Sequence, residues 1–323
     1  MALKNRPGVS EETRRKILEL KNKHSKENKN SIASKTNKGN IDFLVYKKHG
    51  TVITETNFFV KLIEAINLQA QENSYSVNIS YCDSSQDMVV YFNNVNRTDN
   101  NGLFILATEM ESKDIQFFES MVRKPTVYID AYFPCDKVDC VLMDNQSGIT
   151  QSMKYGISLG HREIGFINGK IKTNNFEDRF ESFKRCMSEY GLQYKQEYIY
   201  SLTASIEEAY EDMLERLRNV SKLPTLFIAA NDILAIGAAN ALKKANYSIP
   251  DDISIIGFDD MPISRYLDPP LTSVMLRHEV IGMQAVKRLI EKIEKPETAE
   301  YCLGCMVGVD LMPRCSVKNL NTL

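Results

Sequence analysis

The residues of this 323-residue chain with chemistry to offer are polar side chains that follow directly on short apolar runs. Asp259 comes straight after ISIIGF, Asn231 and Asp232 after TLFIAA, and Asp144 and Asn145 after CVLM. A carboxylate at 259 can accept from two neighbouring hydroxyls of a sugar or ribose, or it can cap a turn, the role better suited to Asp260. The Asn231 amide donates and accepts at once, whereas an Asp at 232, ahead of an apolar helical stretch, predicts a helix cap. Arg179, in EDRFESF, can hold a diol or a carboxylate through two parallel bonds, or sit on the outside of an amphipathic helix. Asn57, Phe58 and Phe59 offer an amide and two rings, and a ring face stacks on a pyranose or a base. Phe59 fits a helical core stripe, so Phe58 is the better stacking ring.

Catalytic frames are missing from the sequence. It has no P-loop, no GxSxG elbow, no HExxH and no convincing pair of carboxylates, and none of its four histidines stands near a nucleophile motif. The reading is therefore of a binding protein and not an enzyme. His161, in LGHREIG, is a structural residue at a crossover on this reading. The seven cysteines are odd in number and scattered through apolar runs, which suits reduced, packed thiols. Cys302 and Cys305 have metal-like spacing but no second pair and no nearby histidines, so neither a metal nor a cofactor is expected.

The elements that must position these groups alternate. Short apolar runs at 41–46, 76–81, 102–107, 126–130, 140–143, 164–167, 225–230 and 253–258 are separated by amphipathic helical stretches. Phe59, Leu62, Ile63 and Ile66 repeat at helical spacing, as do the apolar residues from Ile233 to Leu242. This rhythm predicts βαβ units and parallel sheets. Eight or more strands exceed one compact sheet, so the predicted fold class is α/β with two doubly wound lobes. A ligand then sits between the lobes, at the carboxyl ends of both sheets.

Charge divides the chain differently. Residues 1–40 carry eight Lys and three Arg against four Glu, or +7, and the remainder of the chain carries −9 within an overall −2. A basic arm on an acidic body suits a segment that faces nucleic acid, or a solvated, partly disordered arm. Ser10 caps a predicted helix over 10–23 with Glu11 and Glu12 in its first turn, and the Asn-, Ser- and Lys-rich stretch after it reads as a linker. No run of about 18 apolar residues is present and the amino terminus turns polar at once, which predicts a cytoplasmic protein without membrane contact.

The order and spacing of GHR, DRFESF, AAND, IPDDISIIGFDD and PPLTSV over residues 160–274 resemble the LacI/GalR family of transcription regulators. TETNFF (54–59), NNGLFIL and PTVYID resemble its first lobe more weakly, and ALKNRPGVSEETRRKILEL (2–20) is similar to the end of its helix-turn-helix headpiece, without most of the recognition helix. The resemblance implies a fold like that of type I periplasmic binding proteins, with crossover strands joining the lobes after a short helical remnant. It divides the chain into a headpiece remnant at 1–27, a linker or hinge at 28–40, a first lobe at 41–161 plus about 276–304, and a second lobe at 162–275 plus about 305–323. It also implies an effector pocket holding Asn57, Phe58, Phe59, Asp144, Arg179, Asn231 and Asp259.

Function follows from the same resemblance. A sugar or nucleoside-like effector would close the lobes of a homodimer and so change how paired headpieces meet operator DNA. Lys4, Asn5, Arg6, Ser31 and Lys35 are the DNA-facing candidates. Two departures stand out. The family has a glycine where Ser182 sits, and its hinge helix carries a leucine soon after an alanine to wedge the minor groove, whereas here Ala33 is followed by Ser34, Lys35 and Thr36. The alternative is a stand-alone small-molecule sensor without specific DNA binding.

Overall fold

A computed structural model describes residues 37–50, 58–83, 88–220 and 222–322. The headpiece helix, most of the linker and the candidates Lys4, Asn5, Arg6, Ser31, Lys35 and Asn57 lie outside the described residues. The chain divides into Met1–Lys38 and Gly39–Leu323, and the twelve strands found among the described residues belong to the second unit.

Five strands build the core of the first sheet: β1 (Gly39–Lys47), β2 (Tyr75–Asp83), β3 (Gly102–Leu106), β4 (Thr126–Ile129) and β5 (Cys140–Met143). The second repeats the pattern with β6 (Ile164–Gly169), β7 (Ile199–Leu202), β8 (Leu226–Ala229), β9 (Ser254–Asp259) and β10 (Thr272–Met275). Two late strands, β11 (Gly304–Val307) and β12 (Asp310–Met312), close one edge of each. Strand order is β11-β5-β4-β3-β1-β2 in one sheet and β12-β10-β9-β8-β6-β7 in the other, the same order used twice. Every pairing is parallel except β10 with β12. The two doubly wound lobes expected from the sequence are therefore the fold of this unit.

Parallel strands covered on both faces need continuous apolar runs, and β3, β4, β5 and β8 are buried at every position. In β1 the side chains divide by parity. Ile41, Phe43 and Val45 join one core with Leu62 and Ile66 of α1 (Phe58–Glu72), while Leu44 and Tyr46 join another with Phe92 of α2 (Met88–Arg97) and Phe118 of α3 (Ser112–Met121). A buried phenyl such as Phe43 contributes about 1.5–3 kcal/mol relative to an exposed one.

Three crossings join the lobes, and they correct the expected boundaries. The first lobe was expected to run to residue 161, but α4 (Asn145–Ser158) lies on the second sheet: a Cβ at Gly148 would stand 2.5 Å from the Phe258 ring, and one at Gly156 would stand 2.4 Å from Leu226. The chain thus leaves the first lobe after Met143. It returns after β10 through α8 (His278–Glu294), whose Gly282 approaches Ala65 of α1 so closely that a Cβ there would stand 2.9 Å from the Ala65 Cβ. The last crossing falls after Val307, because β11 pairs with β5, so residues 305–307 lie in the first lobe and not the second. The first strand begins at Gly39, inside the segment expected to be linker.

Among the described residues no helix is long and apolar enough to cross a membrane, and no group of three or more His, Cys, Asp or Glu side chains could hold a metal ion.

Candidate functional site

The carboxyl ends of the two sheets face each other across a cavity of about 30 Å3 lined by both lobes. Phe59, Thr108, Asp130 and Met143 come from the first lobe, and Asn175, Arg179, Asn231 and Asp259 are among those from the second. Arg179 stands at its centre on α5 (Asn174–Glu189), a helix begun by Thr173, whose hydroxyl accepts from the Phe176 amide.

Arg179 is not the surface arginine of the alternative reading; its side chain is 3% exposed. Its Nη1 donates to the Ala230 carbonyl at 2.6 Å and its Nε to Asn145 Oδ1 at 2.8 Å. Nη1 also lies 3.5 Å from Asp259 Oδ1, and the guanidinium stacks on the Phe258 ring, 3.7 Å from its centroid. Burial pulls the Arg179 pKa down while the surrounding carboxylates, Asp259 foremost, push it back up.

Asp259 ends β9 and Asp130 follows β4, two strands that hold the same place in their sheets. Both residues adopt positive φ, 101° and 70°, a backbone region that side chains with Cβ rarely enter and that Asp tolerates better than most. Asp130 was not foreseen as a site residue. Its Oδ2 accepts from the Thr108 hydroxyl at 2.5 Å, and its buried Oδ1 has no hydrogen-bond partner. Burial pushes the Asp130 carboxyl up to about 6 against the opposing pull of Thr108 and Arg179. It pushes Asp259 up to about 7, with Arg179 again opposing and Asp130 adding to the rise.

Asn231, not Asp232, caps α7 (Asp232–Lys244): its extended backbone makes it the residue before the first turn, and Oδ1 accepts from the Leu234 amide at 3.0 Å. The Asp232 carboxylate turns the other way. It accepts from Ser264 at 2.5 Å, Ser273 at 2.6 Å and the Met261 amide at 2.8 Å, fixing the segment that follows Asp259. Burial pushes this carboxyl to about 7 as well. Gly257 is required beside it, since a Cβ there would stand 2.0 Å from Asp232 Oδ1.

A chain of amides spans the cleft. Asn175 donates to the Asp130 carbonyl at 2.9 Å and accepts from Asn145 at 2.8 Å, and Asn145 in turn accepts from Arg179. Asn174 adds a bond to the Met110 carbonyl at 3.0 Å. These two asparagines tie α5 of the second lobe to the first.

The remaining expectations divide. Phe59, 7% exposed, both joins the core and lines the cavity. Phe58 begins α1, and its ring is outside the described side chains. Asp144 does not join the others: it caps α4 through the Ser147 amide and lines a separate hollow of about 370 Å3, together with Ser182, on the far side of Met143 and Asn145. His161 is buried between Thr225 and the Lys318 carbonyl, tying the start of the second lobe to the carboxyl-terminal segment. All seven cysteines are free thiols.

Comparison with known proteins places this geometry. Residues 153–317 match the model of the periplasmic binding protein-like domain. The HTH-type transcriptional repressor PurR of Actinobacillus pleuropneumoniae serotype 3 (strain JL03) is 29% identical over 288 residues, which cover 85% of this chain and 82% of that protein. Among solved structures, the lac repressor dimer bound to operator and the anti-inducer ONPF superposes with a TM-score of 0.75 at 18% identity, covering 90% of this chain and 98% of that one. A LacI family transcriptional regulator from Enterococcus faecium with bound ribose gives 0.70 at 24% identity, covering 87% and 99%.

Proposed function

Because the chain belongs to the periplasmic binding protein-like family and is similar over most of its length to LacI-type transcription regulators, we propose that it is such a regulator, that its interlobe cleft binds a sugar or related hydroxyl-rich effector and that closure of the cleft sets how a homodimer meets operator DNA. The observation that carries this reading is the convergence of Arg179, Asn231 and Asp259 with Asp130 and Thr108 on one cavity between two lobes. Together they offer carboxylate, amide and hydroxyl groups to a ring of vicinal hydroxyls, and Phe59 and Phe176 offer apolar faces.

A cavity of about 30 Å3 holds a water or two. A sugar therefore enters as the lobes part at the Asn174 and Asn175 bonds, and its binding changes the angle between them. The ribose-bound relative from Enterococcus faecium supports the ligand class, and the operator-bound lac repressor dimer supports the DNA-binding assembly. Exposed apolar side chains on and beside the edge strand β2, among them Val60, Leu68, Ile79, Tyr81 and Val90, offer a surface for a second copy.

The test is operator binding by the full gene product, followed by fluorescence anisotropy at fixed salt with and without a panel of sugars and nucleosides. At least one member is expected to change the affinity at least tenfold. Specific DNA binding that no member alters would sink the proposal.

A further inference from the structure

The cavity holds more acid than base. Among the described residues Asp130 from the end of β4 and Asp259 from the end of β9 line it beside one guanidinium, and Asp178, the neighbour of Arg179 on α5, and Asp232 at the start of α7 lie further out within the field of that cation. Arg179 spends Nη1 on Ala230 and Nε on Asn145, stacks on Phe258, and already shares its charge with Asp259 and Asp130. Asp232 is saturated by Ser264, Ser273 and the Met261 amide. That leaves Asp130 and Asp259 as the acceptors with capacity for a ligand, one from each lobe; Asp130 Oδ1 is buried without a hydrogen bond of good geometry, although the nearby Asn175 amide favours its charged form.

Two buried carboxylates beside the single cation that lines the cavity among the described residues cannot both carry full charge cheaply. A ligand that brings hydroxyl donors supplies the hydrogen bonds that stabilise the ionised forms, whereas a carboxylate or phosphate adds a further negative charge where, among the described residues, one guanidinium already faces two carboxylates. We propose that the cleft selects uncharged, donor-rich ligands over anionic ones, and that taking one up releases protons to bulk solvent from the Asp130 and Asp259 pair. This rests on the effector-binding reading of the same cleft.

The direction of the pH effect follows. The ligand-free carboxyls sit at about 6 and about 7, above their ordinary value of 3.8. Ligand-free stability therefore falls as pH rises through these values, since the folded state holds protons that the unfolded state has already lost. Ligand affinity moves the opposite way. It rises with pH across that window by up to about tenfold per pH unit for each proton released, and levels off above it.

The experiment has two arms. Wild-type chain, Asp130→Asn, Asp259→Asn and the double variant are melted without ligand from about pH 5 to about pH 8. The fall in melting temperature seen in wild type is expected to shrink in the double variant to the share left by Asp232, and an unchanged slope overturns the proton pair. If the variants do not fold, the infrared band of protonated carboxylic acid in wild-type protein serves instead. It is expected to fade through the same window, and its absence at the acid end overturns the pair.

In the second arm, ribose, cellobiose and adenosine are titrated by calorimetry at both ends of the pH range, beside ribose 5-phosphate and gluconate. An uncharged binder whose affinity rises with pH, with no binding by the anions, is the expected result. A pH-independent affinity, or an anion bound as tightly as its neutral counterpart, overturns the selectivity. If no uncharged compound binds, the effector reading falls and the selectivity with it, while the ligand-free slope still decides the proton pair by itself.

Discussion

The guanidinium of Arg179 lies over the ring of Phe258 at 3.7 Å, and the next residue along β9 is its carboxylate neighbour Asp259. The ring is fully buried and also walls the close approach of Gly148, so it fixes the arginine from below while the Ala230 carbonyl holds it from the side. Phe258→Ala removes this floor. The expected loss is about 3–5 kcal/mol of stability, read as a lower urea midpoint, with effector affinity falling as Arg179 loses its fixed orientation. Unchanged affinity in a folded variant would show that the stacking does not orient the guanidinium.

Asn175 joins the lobes by donating to the Asp130 carbonyl while accepting from Asn145. Asn175→Ala strands both groups, at a cost of about 1–3 kcal/mol for the closed arrangement. The variant is expected to scatter X-rays as a more open particle and to bind effector more tightly, because the closed arrangement that these bonds hold has room for only a water or two. A scattering profile identical to wild type would count against the bonds as a closure latch.

Far from the cleft, Asp139 accepts from Arg288 Nε at 2.7 Å, from Lys292 Nζ at 2.6 Å and from the Leu303 amide at 2.9 Å, tying α8 to the start of β5 and to the chain entering β11. Asp139 and Arg288 are both buried. Asp139→Ala leaves Lys292 without this carboxylate and Arg288 with only the more exposed Glu291, and is expected to cost about 3 kcal/mol, measured by chemical denaturation. Effector affinity, measured on the folded fraction, should stay within about twofold of wild type, because additive behaviour holds for distant sites.

His278 opens α8, and burial pulls its imidazole down to about 4 from 6.5. The unfolded chain takes up a proton first, so this residue contributes stability above pH 6.5 that is lost as pH falls toward about 4. His278→Gln removes the dependence. The difference in melting temperature between wild type and variant should narrow or reverse on acidification through that window, and a difference independent of pH would refute a buried, neutral imidazole.

Much of this was legible in the sequence because a buried parallel strand must be apolar throughout. ISIIGF and GLFILA announce themselves in that way. Strands β7, β10 and β12 did not, since IYSL, TSVM and DLM are short and owe their conformation to the neighbour they pair with. In the site, Arg179, Asn231 and Asp259 were found by position after a strand or by family resemblance. Asp130 stood in the run TVYID and was read as its last strand residue, although the same rule that picked Asp259 applied to it. Asp232 was mistaken for the cap because both residues of an Asn-Asp pair can cap, and only the backbone angles of Asn231 decide between them. Asn174 and Asn175 carry no signal of their own, since their partners on the other lobe are backbone carbonyls, which any residue type supplies.

The repeated strand order makes Asp130 and Asp259 one position used twice, so a ligand lying between them meets near-equivalent acceptors at its two ends. Among the described residues that line the cavity, Arg179 has no cationic counterpart from the first lobe. On the proposed effector reading, the guanidinium would tell the head of a ligand from its tail. A molecule with matching ends can lie in the cleft either way round, and one with dissimilar ends is held in a single sense.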